Sequence, residues 1–189
     1  MSLWLTIPVG ERRQYLDDII RESKIPPEKI VIVNTVMHKP VKNVNNIYDF
    51  NEINIHRWWN KGIEFAKSNG AKYVAVLNDD LILKDDPLNK IVKAMEKSGA
   101  TLGHPVPHTG HISGYCFILN VEHDISPNES YRWWFGDNDL WNQANKNNGV
   151  IGVPVDIKHI HANELTSSSK KLIELANEDK KLYYKNNVL

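Results

Sequence analysis

One cysteine, Cys116, in 189 residues excludes an intrachain disulfide and any multi-cysteine zinc site. A metal, if one is bound, must be held by carboxylates and histidines. The chain also lacks an excess of either charge, with Lys+Arg and Asp+Glu at 23 each. The field of the whole molecule therefore gives no reason to expect general nucleic-acid binding. Nor is there an apolar run near the roughly 18 residues that span a bilayer, or a basic start and apolar stretch in residues 1–10 that would make a signal peptide. No membrane span and a cytoplasmic location are expected. What the chain does have is 41% hydrophobic and 24% charged residues, which suits one globular domain and excludes disorder as the main state. Its many Lys and Asn residues are the composition of an AT-rich genome, bacterial or phage.

Five short β-branched or aromatic runs predict strands: Leu3 to Ile7, Ile30 to Asn34, Tyr73 to Leu77, Tyr115 to Leu119 and Ile151 to Val155. Between the first three lie helical stripes, Tyr15, Leu16, Ile19 and Ile20 in one, Ile55, Trp59, Ile63 and Ala66 in the other. A further helix follows Asp86, with Pro87 in its first turn, Leu88, Ile91, Val92 and Met95 as its stripe and Gly99 as its stop. Crossovers of this length favour a parallel sheet with helices on its faces, and such sheets bind ligands beyond the carboxyl ends of their strands. The second half is less regular. It reads as a His, Pro and Gly-rich loop from Gly103 to Gly114, an aromatic cluster from Tyr131 to Phe135, a helix from about Asp139 to Lys146, and a last helix capped by Ser167 to Ser169 that carries Leu172, Ile173, Ala176 and Leu182. The expected organisation is one α/β domain, residues 1–163 as its core and 164–189 as a helical tail.

Three segments carry chemistry. In YVAVLNDDLIL an apolar strand runs into Asn78, Asp79 and Asp80, and carboxylates there are costly to bury without a cation or partner. Alternation sends Asn78 and Asp80 to one side and Asp79 to the other. The plain alternative is a strand ending in a turn. In RWWFGDNDLWNQA, Asp137 and Asp139 precede a helix beside Trp133, Trp134 and Trp141; the alternative is a helix cap with tryptophans as core. In KHIHAN, His159 and His161 would face one way on an extended chain, as metal ligands or as packed, hydrogen-bonded side chains. His104, His108 and His111 in the loop could bind phosphate or sugar, and binding nothing is the plainer reading of them.

The order of these segments, LTIPVGERRQYL, IHRWWNKGIEFA, VLNDD, SGYCFIL, WWFGDNDLW and a late histidine, resembles the GT-A glycosyltransferases, specifically the family 2 type that uses nucleotide sugars. The resemblance runs from about Leu3 to Asn163. It implies a GT-A, Rossmann-like sheet and a hexosyl-type transfer from a nucleotide-sugar donor, with a UDP-sugar favoured. By its motif positions, Thr6, Pro8 and Arg12 lie beside the nucleotide. Arg57 and Asn60 match an Arg/Asn pair near the diphosphate, and Asn78, Asp79 and Asp80 match the DxD element with Asp80 as the metal ligand. Ser113 and Gly114 match a small-residue turn lining the sugar and acceptor pocket, where Trp134 would supply an apolar wall. Asp137 falls at the catalytic base, with Asp139 retained as a candidate, and one of His159 and His161 matches a metal-binding histidine.

Such a site has a coherent chemistry. Mn²⁺ or Mg²⁺ on oxygen ligands and one imidazole would offset the charge of a diphosphate leaving group, while a carboxylate takes the acceptor's proton in a single, inverting displacement. The acceptor, whether glycan, protein, lipid or modified base, is not encoded in these motifs. Little chain lies beyond the nucleotide core, so a partner is expected to supply acceptor binding; a homo-oligomer is a separate expectation. Two other readings compete. A sugar 1-phosphate nucleotidyltransferase would need a Gly-rich phosphate loop, where IPVGERR has one glycine, and a non-catalytic nucleotide-sugar or carbohydrate module would use similar aromatic, Asn-rich pockets.

Overall fold

A computed structural model describes residues 2–11, 13–106, 112, 114–161 and 169–187. In chain order the elements are β1 (Leu3–Val9), α1 (Leu16–Ser23), β2 (Ile30–Asn34), β3 (Asn45–Tyr48), α2 (Ile55–Ser68), β4 (Tyr73–Leu77), β5 (Leu81–Leu83), α3 (Pro87–Ser98), β6 (Leu102–Val106), β7 (Cys116–Asn120), α4 (Gly136–Lys146), β8 (Val150–Pro154), β9 (Ile157–His159) and α5 (Lys170–Asn187). Seven strands form one sheet in the order β3-β2-β1-β4-β7-β6-β8, and β5 pairs with β9 in a small second sheet. Among the described residues, only β7 runs against its neighbours in the main sheet. All five expected strands are present.

Strands β2 and β4 are buried at every residue because both faces of the sheet are covered. Alternation divides the core. Leu3, Leu5, Ile7, Ile30, Ile32, Ala75 and Leu77 pack with Leu16 and Ile19 of α1 and Ile91, Val92 and Met95 of α3. Trp4, Val31, Val74, Val76 and Phe117 pack on the other face with Trp59, Ile63 and Ala66 of α2 and Leu140 and Ala144 of α4. Helix α3 begins with Pro87 and ends on Gly99 at φ 74°, the left-handed stop expected of it.

Four expectations are corrected. The stretch read as a loop from Gly103 contains β6, whose Pro105 is tolerated because the ladder to β7 covers only Leu102 and Gly103. Helix α4 starts at Gly136 rather than Asp139, with Phe135 as its N-cap, so neither Asp137 nor Asp139 is the capping residue. In α5 the buried stripe is Leu172, Leu175, Ala176 and Asp179, and Ile173 is exposed. Of the expected serine cap, residues 167 and 168 lie outside the described residues, and Ser169 Oγ accepts the Leu172 N–H at 3.4 Å. Finally, the chain does not stay extended through KHIHAN, since β9 ends at His159. No helix among the described residues is long and apolar enough to cross a membrane.

Candidate active site

Strand order places β2 and β4 on opposite sides of β1, so the crevice for a ligand opens beyond the carboxyl ends of β1 and β4. Gly10, just past β1, donates its N–H to Asp79 Oδ2 at 3.3 Å and so joins the two strand ends. Asn78 donates its N–H to the Tyr115 carbonyl at 2.9 Å, which carries the pairing of β4 with β7 past the ladder. Asn78 and Asp79 are half-buried, while Asp80 is buried. Turn hydrogen bonding thus holds the three polar residues at the lip of an apolar strand.

Asp80 is fastened by the small sheet. Leu81 pairs with His159, and the Ile160 N–H donates to the Asp80 carbonyl at 3.0 Å. This brings His159 Nε2 to 3.1 Å from Asp80 Oδ1. The contact lacks hydrogen-bond geometry, and Asp80 Oδ1 is buried with no donor among the described residues. A carboxylate oxygen facing an imidazole nitrogen without a proton aligned between them suits a shared cation. The His159 ring stacks on Tyr115 at 5.0 Å, and burial pushes the Tyr115 phenol up to about 12, so this wall stays neutral. His161 turns elsewhere, its ring 5.9 Å from that of Tyr15. Among the described residues no three His, Cys, Asp or Glu side chains are grouped to hold a metal ion. The Asp80 and His159 pair fits the other type of site, in which Mn²⁺ or Mg²⁺ takes one or two protein ligands and completes its shell from phosphate oxygens and water.

Asp137 stands in the first turn of α4, where the helix dipole favours a carboxylate. Its Oδ2 accepts the Gly114 N–H at 3.2 Å and its Oδ1 accepts the Asn138 N–H at 2.9 Å. Gly114 and Tyr115 are neighbours, so one short segment touches both Asp137 and the Asp80–His159 pair. Asp139 accepts from Gln143 Nε2 at 2.7 Å within the same helix. Gly136 is demanded by its surroundings, because a Cβ there would lie 2.0 Å from His56 Nε2.

The other expected site residues are distributed. Arg57 Nε donates to Asp49 Oδ2 at 2.8 Å, and Lys61 lies 3.2 Å from the same oxygen. Burial would raise the Asp49 carboxyl, but the Arg57 hydrogen bond, the Asn51 N–H and Lys61 outweigh it and bring it down to about 2. Asn60 Nδ2 donates to the Pro127 carbonyl at 2.8 Å and to Glu129 Oε1 at 2.9 Å, which anchors α2 to the loop between β7 and α4. Thr6 is fully buried under α2, where a Cβ on Gly62 would lie 1.8 Å from its hydroxyl oxygen. Pro8 is half-buried near the end of β1, and Trp134 is 47% exposed. Arg12, Ser113, His108 and His111 lie outside the described residues. His104 is buried and packs edge-on against Trp141 at 5.6 Å.

Two residues of this region escape a sequence reading. His56 is 1% exposed, and its Nδ1 donates to the Tyr131 carbonyl at 2.6 Å. Burial lowers its pKa to about 4, which the Tyr131 hydrogen bond and nearby carboxylates only partly oppose. The second, Asp179, is a buried carboxylate on α5. Its available signal is an acid at the fourth place of the apolar stripe Leu172, Leu175, Ala176.

No protein-family model matches the chain, and no curated protein matches it. Solved structures do match in fold. TarS 1–349 of S. aureus in complex with UDP-GlcNAc superposes with a TM-score of 0.67 at 12% identity, over 93% of this chain and 64% of that one. GalNAc-T7 with UDP, GalNAc and Mn²⁺ gives a TM-score of 0.67 at 12% identity, over 85% of this chain and 44% of that one. Longer TarS matches at a TM-score of 0.63 and 10% identity, over 82% of this chain and 35% of its own. The chain therefore spans between about a third and two thirds of the length of these structures. The architecture, a seven-stranded, mostly parallel sheet with helices on both faces and a C-terminal helix, is the GT-A fold of these neighbours.

Proposed function

We propose that the chain is a glycosyltransferase that moves a sugar from a nucleotide-diphosphate donor, with a UDP-sugar favoured, to an acceptor hydroxyl with inversion of configuration. The observation that carries this reading is the contact between His159 Nε2 and the buried Asp80 Oδ1, which has no hydrogen-bond donor among the described residues, at the carboxyl end of β4. It is supported by two neighbours of the same fold, one bound to UDP-GlcNAc and one to UDP, GalNAc and Mn²⁺. In this reading Asp80 and His159 hold Mn²⁺ or Mg²⁺, and His161 serves the wall near Tyr15. The ion, when bound, offsets the negative charge of the diphosphate.

The chain's own residues do the rest. Asn78, Asp79 and the Gly10 backbone line the nucleotide side of the crevice, with Pro8 at its floor. Asp137 accepts the proton of the acceptor hydroxyl as that oxygen bonds to the anomeric carbon. The bond from that carbon to the diphosphate breaks, and its electron pair leaves with the diphosphate. One displacement inverts the configuration. The Gly114 N–H fixes one carboxylate oxygen of Asp137, so little reorientation is needed when the acceptor arrives. Trp134 presents an exposed ring three residues before the base and forms one wall for the acceptor.

A thermal-shift panel of UDP-, GDP-, CDP- and dTDP-sugars, with and without Mn²⁺, tests the reading. The expected result is stabilisation by a UDP-sugar that depends on the divalent ion. Equal melting temperatures across the whole panel contradict it.

A further inference from the structure

Helix α5 presses a buried carboxylate onto the loop that leads to Asp137. Asp179 is 2% exposed. Each of its oxygens accepts the Arg132 N–H at 3.0 Å, and its Oδ2 also accepts the N–H groups of Trp133 at 2.6 Å and Trp134 at 2.8 Å. Three successive main-chain donors on one anion form a nest, which meets the cost of burying the charge with hydrogen bonds to an ionised acceptor. The carbonyls of the same loop face the other way. Tyr131 accepts from His56 Nδ1 at 2.6 Å, and Arg132 accepts from the Ile55 N–H at 2.8 Å. Residues 131–134 are thus clamped between the start of α2 and α5.

The clamp sets how the chain enters α4. Phe135 sits at φ 65°, a left-handed conformation that costs a non-glycine residue about 1 kcal/mol and must be imposed from outside. Its ring is held by Tyr183 of α5, stacked at 4.9 Å. Arg132 also pairs with Glu178, next to Asp179. Two residues after Phe135 comes Asp137, with its carboxylate on the Gly114 N–H.

We infer that Asp179 is a positioning residue for Asp137: it fixes the 132–134 backbone and thereby aims the carboxylate proposed as the base. The inference rests on that reading of Asp137. It gives α5, a tail by sequence, a part in the transfer step. Misplacing a reacting group by about 1 Å costs on the order of 10²-fold in rate.

Asp179→Asn keeps the side chain's shape but removes the charge that holds the three N–H groups, and with its carbonyl on those donors its NH2 group replaces the oxygen that shares the Arg132 N–H. Hydrogen exchange followed by NMR is expected to show lost protection at residues 132–134 and also at Gly114, whose amide reports where Asp137 sits. Turnover should fall about 10- to 100-fold while donor affinity stays within about twofold. In an Asp137→Asn background the same change should cost nothing further, because the group it positions no longer acts. Unchanged protection at Gly114, or an equal loss of rate in both backgrounds, overturns the inference and leaves Asp179 as a loop cap. If Asp179→Asn does not fold, Asp179→Ser, which retains one hydroxyl acceptor, is read by the same measurements. A wild-type chain that turns over no nucleotide sugar, with the exchange pattern as expected, refutes the proposed function and leaves the positioning of Asp137 standing.

Discussion

Asp137 Oδ2 accepts the backbone N–H of Gly114 at 3.2 Å, which ties the first turn of α4 to the segment that enters β7. One oxygen is spent on this contact. Asp137→Asn keeps an oxygen for Gly114 but cannot take a proton, so transfer should fall by about 10²-fold or more while donor binding survives. NMR of the product should show inverted anomeric configuration. Retained configuration, or full activity in the variant, would remove Asp137 from the role.

Arg57 is expected to act on stability. Its guanidinium meets the buried side chain of Asp49, which is 0% exposed. Arg57→Ala leaves that carboxylate with Lys61 as its cation and the Asn51 N–H as a donor, and the cost should be about 2 kcal/mol, below the usual range for breaking a buried pair because one cation remains. Asp49 is held at about 2 against 3.8. It therefore contributes stability that is present above about pH 3.8 and lost as the pH falls toward 2, and Arg57→Ala should shrink that dependence. Urea denaturation across this range checks both. Wild-type stability with a raised donor Michaelis constant would instead return Arg57 to the diphosphate.

His56 makes the fold acid-sensitive at milder pH. Its pKa is about 4 in the fold against 6.5 when free, so below 6.5 the unfolded chain gains a proton that the folded chain refuses. Stability should drop by about 2 kcal/mol between about pH 7 and pH 5 from this group alone. His56→Gln, which retains a donor for the Tyr131 carbonyl, should flatten the drop. An equal slope in both proteins would assign it elsewhere.

The parts legible from sequence are those whose burial repeats. Strands β1, β2, β4, β7 and β8 and helices α2 and α3 show runs or stripes long enough to register. The three-residue strands β5 and β9 do not, although they are what brings His159 to Asp80. Pro105 hid β6, since nothing in the sequence says that its missing N–H falls beyond the ladder to β7. At the candidate site, Asp80, Asp137 and the pair His159 and His161 stand out in the sequence as acids and histidines in an unusual setting. Arg57 and Asn60 were visible too, but their partners, Asp49, Pro127 and Glu129, are set by tertiary packing that spacing alone does not encode.

Calorimetric titration of UDP-GlcNAc into the wild-type chain and into Asp80→Asn, each with and without Mn²⁺, tests whether Asp80 holds the donor through a divalent ion. Binding to the wild type is expected to require Mn²⁺, and Asp80→Asn is expected to lose both nucleotide and metal binding while its melting temperature stays near that of the wild type. Affinity that is the same in both proteins and indifferent to Mn²⁺ would contradict it.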